Sequence, residues 1–453
     1  MAAFAAWFGA LAWLEHRAFE TGRFDLGNMT QAVWSTAHGH PLDVTELGGD
    51  QISRLGAHVD PILALFAPLW LAWPSPTLLL VVQALVIAAG ALPIFWLGRK
   101  HLGSERAGAL CGLAYLTYPA VQWLALDEFH PVALACPLLA FAVWYLDEDR
   151  IWVFLAFAVL AALTKEELPL IVGALGVWYA LAQGRRLAGT AIALVGVSIS
   201  AVWLGAVMPH FREGAEPAFY GRYDAVGGSP IGIIETALTD PVTVVRAATS
   251  GRDLLYVAEL ALPLAGLFLL APLIAVAALP ELFANLLSSV STQTSIRFHY
   301  TAPIAPFLLA GSILGAARLR RPLAGAGLLL ASSVLGMLLV GPLRAGELAP
   351  ERRSAHDHVA ARAVALVPPA AAVSSTNGLG AHLSERRRIH SFPVIRDAEW
   401  VAVDLRRASY LDRRSSPSTA AVPLAALLES ASWRTVFDED GIFVLRRTAT
   451  STP

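Results

Sequence analysis

The chain has 453 residues, of which 56% are hydrophobic and 15% charged, with a formal net charge of −2. Soluble domains carry about 25% charged residues, so the composition excludes an ordinary soluble protein, and the near-neutral balance excludes a nucleic-acid binder that works by bulk charge. The deficit of charge falls in the first three quarters of the chain, which is the mark of a polytopic membrane protein.

Apolar stretches approaching the ~20 residues of a bilayer-crossing helix recur at 1–15, 76–97, 107–124, 131–146, 150–164, 168–183, 187–208, 255–271, 272–291, 300–317 and 323–341, predicting eleven spans. The first has no basic segment before it and reads as a span, not a cleaved signal; it is short, which places the expected true start upstream. Arg99, Lys100 and Arg106, then Arg185 and Arg186, then Arg318, Arg320 and Arg321 fall in loops on one side. The positive-inside rule makes that side, and the N-terminus, cytoplasmic. Long loops at 16–75 and 209–254 are then outside. Cys111 and Cys136 sit in apolar runs without metal-type spacing, and no disulfide is expected between them.

After Leu343 the composition turns to Arg, Ser and Asp. Periodicity predicts a helix over 358–367, a strand over 371–375, a helix over 380–386, a strand over 400–405, a helix over 424–430 and a hairpin over 433–447 about Asp438-Glu439-Asp440-Gly441. The expected fold class is mainly α: a helical membrane domain over 1–342 and a small extracytoplasmic α/β domain over 343–453. No G-x-G-x-x-G is present, so a dinucleotide site has no support.

The polar clusters sit at span ends, all on the expected outer side. In the first loop, Leu26, Met29, Val33 and Ala37 share one helical face while Asn28, Gln31 and Ser35 share another, which predicts a short amphipathic helix in the membrane interface. Asp25 precedes it, either as an N-cap or as a carboxylate held over a cavity as a general base. His58 and Asp60 precede Pro61, where Asp60 reads as a helix cap or, with His58, as a wall of the same cavity. Asp127-Glu128-Phe129-His130-Pro131 reads as a helix start or as oxygen and imidazole ligands for a divalent metal. Thr164-Lys165-Glu166-Glu167 has the form of a capping box, with Lys165 as an alternative phosphate contact. Arg297, His299 and Tyr300 read as interfacial anchors or as a grip on a phosphate. Ionisable groups at membrane depth tend to mark function, and their coincidence on one side favours the functional reading.

Together the stretches F-D-L-G-N-M-x-Q-A-V-W, A-H-V-D-P-I-L, D-E-F-H-P, T-K-E-E and F-H-Y-T-A-P-I-A-P-F resemble the bacterial membrane-protein family labelled domain of unknown function 2079, over almost the whole chain. That family is grouped with the C-type (GT-C) glycosyltransferases. The resemblance implies a plasma-membrane enzyme that moves a sugar from a polyprenyl-phosphate donor to an acceptor on the outer face, with inversion. It implies Asp25 as the first-loop acid and catalytic base. It implies Asp127 and Glu128, with His130 beside them, as the second-loop acidic site where Mg²⁺ or Mn²⁺ binds in some members; the pair here is D-E, not D-x-D. Asn28, Gln31, His58, Asp60, Lys165, Glu166, Arg297, His299 and Tyr300 are then expected around the substrate. The rival expectations are a flippase for polyprenyl-linked glycans, which moves substrate without breaking bonds, and a non-catalytic scaffold.

Overall fold

A computed structural model describes residues 1–212, 218–407, 409, 412 and 420–448. Residues 213–217 of the second long loop, and parts of the C-terminal segment, lie outside the described residues.

All eleven predicted spans hold helix. Among the described residues, three helices are long and apolar enough to cross a bilayer unaided: Pro76–Leu102, Arg186–Phe211 and Pro322–Ala345. Glu105–Thr117 and Pro119–Leu126 form a fourth when taken together, bent by 50°; Pro119 lacks the N–H that would continue the first helix. Six further apolar helices are shorter. The rod over 76–102 starts at Ser75, whose hydroxyl accepts from the Thr77 N–H at 3.2 Å, and stops at Gly103, which turns left-handed at φ 70°.

The eighth expected span is not continuous. An amphipathic helix, Gly251–Ala261, gives way to short 3₁₀ turns because Ala265 and Gly266 are both left-handed, at φ 54° and 63°. Basic loop residues gather at one end of the bundle and meet acids there. Lys100 bridges Asp147 at 2.9 Å and Glu148 at 2.6 Å, His101 reaches Asp147 at 2.8 Å, and Arg185 pairs with Asp149.

The first long loop is folded. It holds the helix Asn28–Ala37 and a small antiparallel hairpin, β1 (Asp43–Thr45) with β2 (Gln51–Ser53). The helix does not lie in the interface with a wetted polar face. Met29, Ala32 and Val33 join the main core, but Thr30, Gln31 and Ser35 are buried as well, because the C-terminal segment packs on the polar side.

That segment folds into a mixed five-stranded sheet of β3 (Val373–Ser375), β4 (Ile389–Ser391), β5 (Trp400–Asp404), β6 (Trp433–Glu439) and β7 (Ile442–Arg447), in the order β4-β3-β5-β7-β6. β3 runs parallel to β4 and β5, and β7 runs antiparallel to β5 and β6. The predicted hairpin turn is there: Asp440 and Gly441 take φ 52° and 79°, as a two-residue hairpin loop requires. The predicted first helix spans Ala355–Ala365 and opens with a reciprocal Ser354–Asp357 capping box. β4 was not predicted; it is three residues long and follows Arg386-Arg387-Arg388. Phe19 of the first loop completes the core of this sheet, beside Val359, Leu379 and Leu383.

The tightest helix pair, Leu168–Ala182 with Arg186–Val202, packs through small residues. A Cβ on Gly176 would meet the Gly189 carbonyl at 2.7 Å, and one on Gly196 would run into the Pro169 carbonyl and the Gly173 backbone. Close backbone approach of this kind depends on glycine. Gly196→Val is expected to destabilise the protein by about 1–3 kcal/mol through overpacking, read as a lower melting temperature in detergent, whereas Gly205→Val, where a Cβ meets nothing within 4 Å, leaves it unchanged.

Candidate active site

Four of the predicted polar clusters converge at one end of the helical bundle, under the C-terminal sheet. Asp25 lies within a single π-helical turn, Arg23–Gly27, ahead of the helix that starts at Asn28. It is not the N-cap. The free N–H groups of this turn are taken by Glu128, whose two oxygens accept from Gly22 at 3.0 and 2.9 Å, and one of which also accepts from Leu26 at 3.1 Å. The Asp25 side chain is thereby left 40% exposed.

His130 faces Asp25, with Nε2 at 3.4 Å from Oδ1. Its Nδ1–H donates to the Glu128 carbonyl at 2.8 Å, which assigns the tautomer, since a carbonyl only accepts. Burial works against a charge on His130, but the Asp127 carboxylate and the hydrogen bond and charge of Asp25 raise its pKa to about 9. Burial likewise pushes Asp25 up, yet the hydrogen bond from His130 and the charges of His130, His299 and Arg54 prevail and hold it below the usual carboxylate range. At neutral pH the two form an ion pair. Glu128 goes the other way: burial and the neighbouring Asp25 charge raise it well above the usual range, and its place is that of a backbone acceptor.

His299 stacks on His130 with ring centres 3.8 Å apart. Its backbone N–H and Nδ1 both reach Asp127 Oδ2, at 2.9 and 3.0 Å. Burial and the charge on His130 bring its pKa down to about 4, so it is neutral, donates from Nδ1, and keeps a lone pair on Nε2. Tyr300 follows at 4.3 Å from His299, and Lys165 sits 5.6 Å over the Tyr300 ring. Asp25, His130, His299, Tyr300 and Lys165 thus form one row, with the Asp25–His130 pair at one end and Lys165, paired with Glu167, at the other. Gln83, in the 76–102 helix, locks the row from below: it donates to the Asp127 carbonyl at 2.9 Å and accepts from the His130 N–H at 3.1 Å.

The other predicted residues are placed differently. Asp60 is sealed off, bonded to Arg54 by Nη2 at 2.6 Å and Nε at 2.8 Å, and does not cap the turn that starts at Pro61. Asn28 accepts from the same Arg54 at 2.7 Å. Gln31 is buried between Thr45 and the Arg387 carbonyl. These three were expected around the substrate; their polar atoms are instead spent on packing the first loop against itself and the C-terminal sheet. His58 and Glu166 pair at 3.0 Å at a neighbouring wall. Burial would raise Glu166, but the charge and hydrogen bond of His58, helped by Lys165, hold it at about 2. Thr164 donates back to the Ala161 carbonyl at 2.7 Å, so the expected capping box does not form, and Lys165 binds Glu167 at 2.7 Å. Arg297 stands apart from the row, over Trp123, in a cavity of about 260 Å³ that it shares with Glu259 and Arg344. Arg222, which no sequence signal singled out, stands where Arg297 was expected, 3.4 Å from the Tyr300 hydroxyl.

Of the expected metal ligands, Asp127 and His130 come together, while Glu128 is held by the backbone of residues 22–26. His299 takes its place: candidate donor atoms of Asp127, His130 and His299 lie within 4.8 Å of one another. Two imidazoles and one carboxylate fit Mg²⁺, which prefers an oxygen shell, poorly; the set is closer to the taste of Mn²⁺ or Zn²⁺. The two rings are stacked, with 23° between their planes; His130 pairs with Asp25 and His299 with Asp127.

Because the pKa of His130 is raised, its charge stabilises the fold fully below the unfolded value of 6.5 and ceases to do so as pH rises through about 9. A shift of this size corresponds to roughly 3 kcal/mol. The melting temperature of the wild type should therefore exceed that of His130→Gln most below pH 6.5, with the gap narrowing as the pH is raised through 9.

No curated protein matches the chain. The crystal structure of ArnT from Cupriavidus metallidurans in the apo state matches over 94% of this chain and 93% of its own, with a TM-score of 0.53 and 13% sequence identity, and the two share a fold. A family model described as a predicted membrane protein, domain of unknown function 2079, matches residues 15–444, and the chain belongs to that family.

Proposed function

We propose that the protein is a membrane glycosyltransferase that takes a sugar from a polyprenyl-phosphate donor, with Asp25 as general base on the outer face. The observation that carries this reading is the state of Asp25: partly exposed, ionised, and set on a turn whose backbone is held by other parts of the chain. The shared fold with ArnT, a GT-C glycosyltransferase, supports it.

In this reading the acceptor hydroxyl gives its proton to Asp25 as its oxygen attacks the anomeric carbon. The bond from that carbon to the phosphate oxygen breaks on the opposite face, the polyprenyl phosphate leaves with the electron pair, and the configuration inverts. The cation on His130 keeps Asp25 ionised until it takes the proton. Charge developing on the leaving phosphate calls for cations already in place, and Lys165 and Arg222 at the Tyr300 end of the row fit that need. An acid at one end and cations at the other match the two ends of a displacement. The outer face is the one bearing Asp25 and the C-terminal sheet, opposite the Lys100 and Arg185 loops, with the N-terminus cytoplasmic. Asp127, His130 and His299 would be the residues to hold Mn²⁺; a loss of activity on chelation that added Mn²⁺ restores would assign it.

Asp25→Asn keeps the size and hydrogen bonding of the side chain while removing the base. It should lower the release of free polyprenyl phosphate by about 10²–10⁴-fold, the span of general-base contributions, with expression intact. Near-normal release by that variant would remove Asp25 from the role, and movement of lipid-linked sugar without release would identify a flippase instead.

A further inference from the structure

The turn that carries Asp25 is gripped from two sides. On the bundle side Glu128 holds the N–H groups of Gly22 and Leu26. On the other side Asn377, which opens the short helix after β3, accepts from the Phe24 N–H with its Oδ1 at 3.1 Å. Asn377 is itself anchored: its backbone N–H donates to Asp412 at 2.7 Å, and the adjacent Thr376 hydroxyl accepts from the Asp404 N–H at 3.1 Å. Three amides flanking Asp25, those of residues 22, 24 and 26, are therefore held by side chains more than 100 positions away in sequence.

Arg23 reaches into the C-terminal sheet from the same turn. Its guanidinium is buried and donates to the Thr45 and Ile389 carbonyls at 2.6 Å each and to the Ser391 hydroxyl at 2.7 Å. Among the described residues it bonds no carboxylate. A buried cation is costly to desolvate; the two Nη groups meet that cost with these three bonds, while the buried Nε–H has no partner among the described residues. The facing surfaces carry glycine where they meet. A Cβ on Gly22 would lie 2.5 Å from Asn377 Nδ2, one on Gly27 would lie 2.5 Å from the Ser384 hydroxyl, and one on Gly380 would lie 2.7 Å from Arg23 Cβ.

We infer that Asn377 is a positioning residue for Asp25, and that the C-terminal α/β unit is the second half of the mount that aims this carboxylate, not a cover that opens over the site. The catalytic meaning rests on the glycosyl-transfer reading; the mount itself does not. Holding a reacting group in the right geometry is worth a large part of catalysis, and a 1 Å misplacement costs on the order of 100-fold.

Full-length protein in nanodiscs, as wild type, Asn377→Ala and Asn377→Asp, tests this by hydrogen–deuterium exchange and by transfer kinetics. Asn377→Ala should speed exchange at residues 22–27 about tenfold or more while β5 and β7 keep their protection, and should lower kcat on the order of 100-fold with the donor KM unchanged. Asn377→Asp keeps the Oδ1 acceptor and should restore protection at 22–27. Wild-type protection over 22–27 in Asn377→Ala would overturn the inference, as would loss of protection through the whole sheet. If the wild type transfers no sugar from any lipid-linked donor, the functional reading fails while the exchange data still decide the mount.

Discussion

The site depends on what happens to the free N–H groups of one helical turn. Any helix start leaves backbone donors without partners, and burying them unpaired is costly. Here Asp25 sits where a side chain would ordinarily satisfy them, but a carboxylate 102 to 106 residues later, that of Glu128, does so instead. That substitution frees Asp25. One acid serves the backbone and the other faces outward, and environment alone separates two residues that look equivalent in sequence.

The same division of labour runs through the surrounding charges. The Arg54–Asp60 pair is buried and fully bonded to itself and to Asn28, so it braces the first loop. His58–Glu166 and Lys165–Glu167 compensate each other nearby. His130 and His299 have nearly parallel rings in contact, yet they are pushed to opposite protonation states. Asp25 and Asp127 draw a proton onto His130, and its charge in turn keeps His299 neutral. A stacked pair of imidazoles of which one is charged and the other retains a lone pair is suited to handling protons beside a carboxylate.

The C-terminal unit changes how the first loop is read. By periodicity the helix at residues 28–37 looks like an interfacial helix with a wet polar face. Gln31 and Arg23 instead bond β1 and β4, and Phe19 lies in the core of the sheet. The amphipathic pattern was real, but its polar face met protein instead of water. The broken helix near Ala265 and the bend at Pro119 show a similar limit: hydropathy places an apolar segment and says little about its continuity.

The sequence by itself determined a membrane protein of many helices, the order of its apolar segments, the hairpin at Asp440-Gly441, and where the polar clusters fall along the chain. Those features rest on local chemistry: hydropathy over a span length and the φ demanded by a turn. Only the tertiary structure decided which polar groups are paired inside the fold and which stay partly exposed, as Asp25 does. Asp60 pairs with Arg54, six positions before it, and Gln31 with Thr45 in the same loop, whereas the turn at Asp25 is held by Glu128 and Asn377 far beyond it, because a buried polar group must be paired wherever a partner can be found. Gln83, Asn377 and Arg222 carried no local pattern, and their roles exist only once distant segments are brought within hydrogen-bond distance.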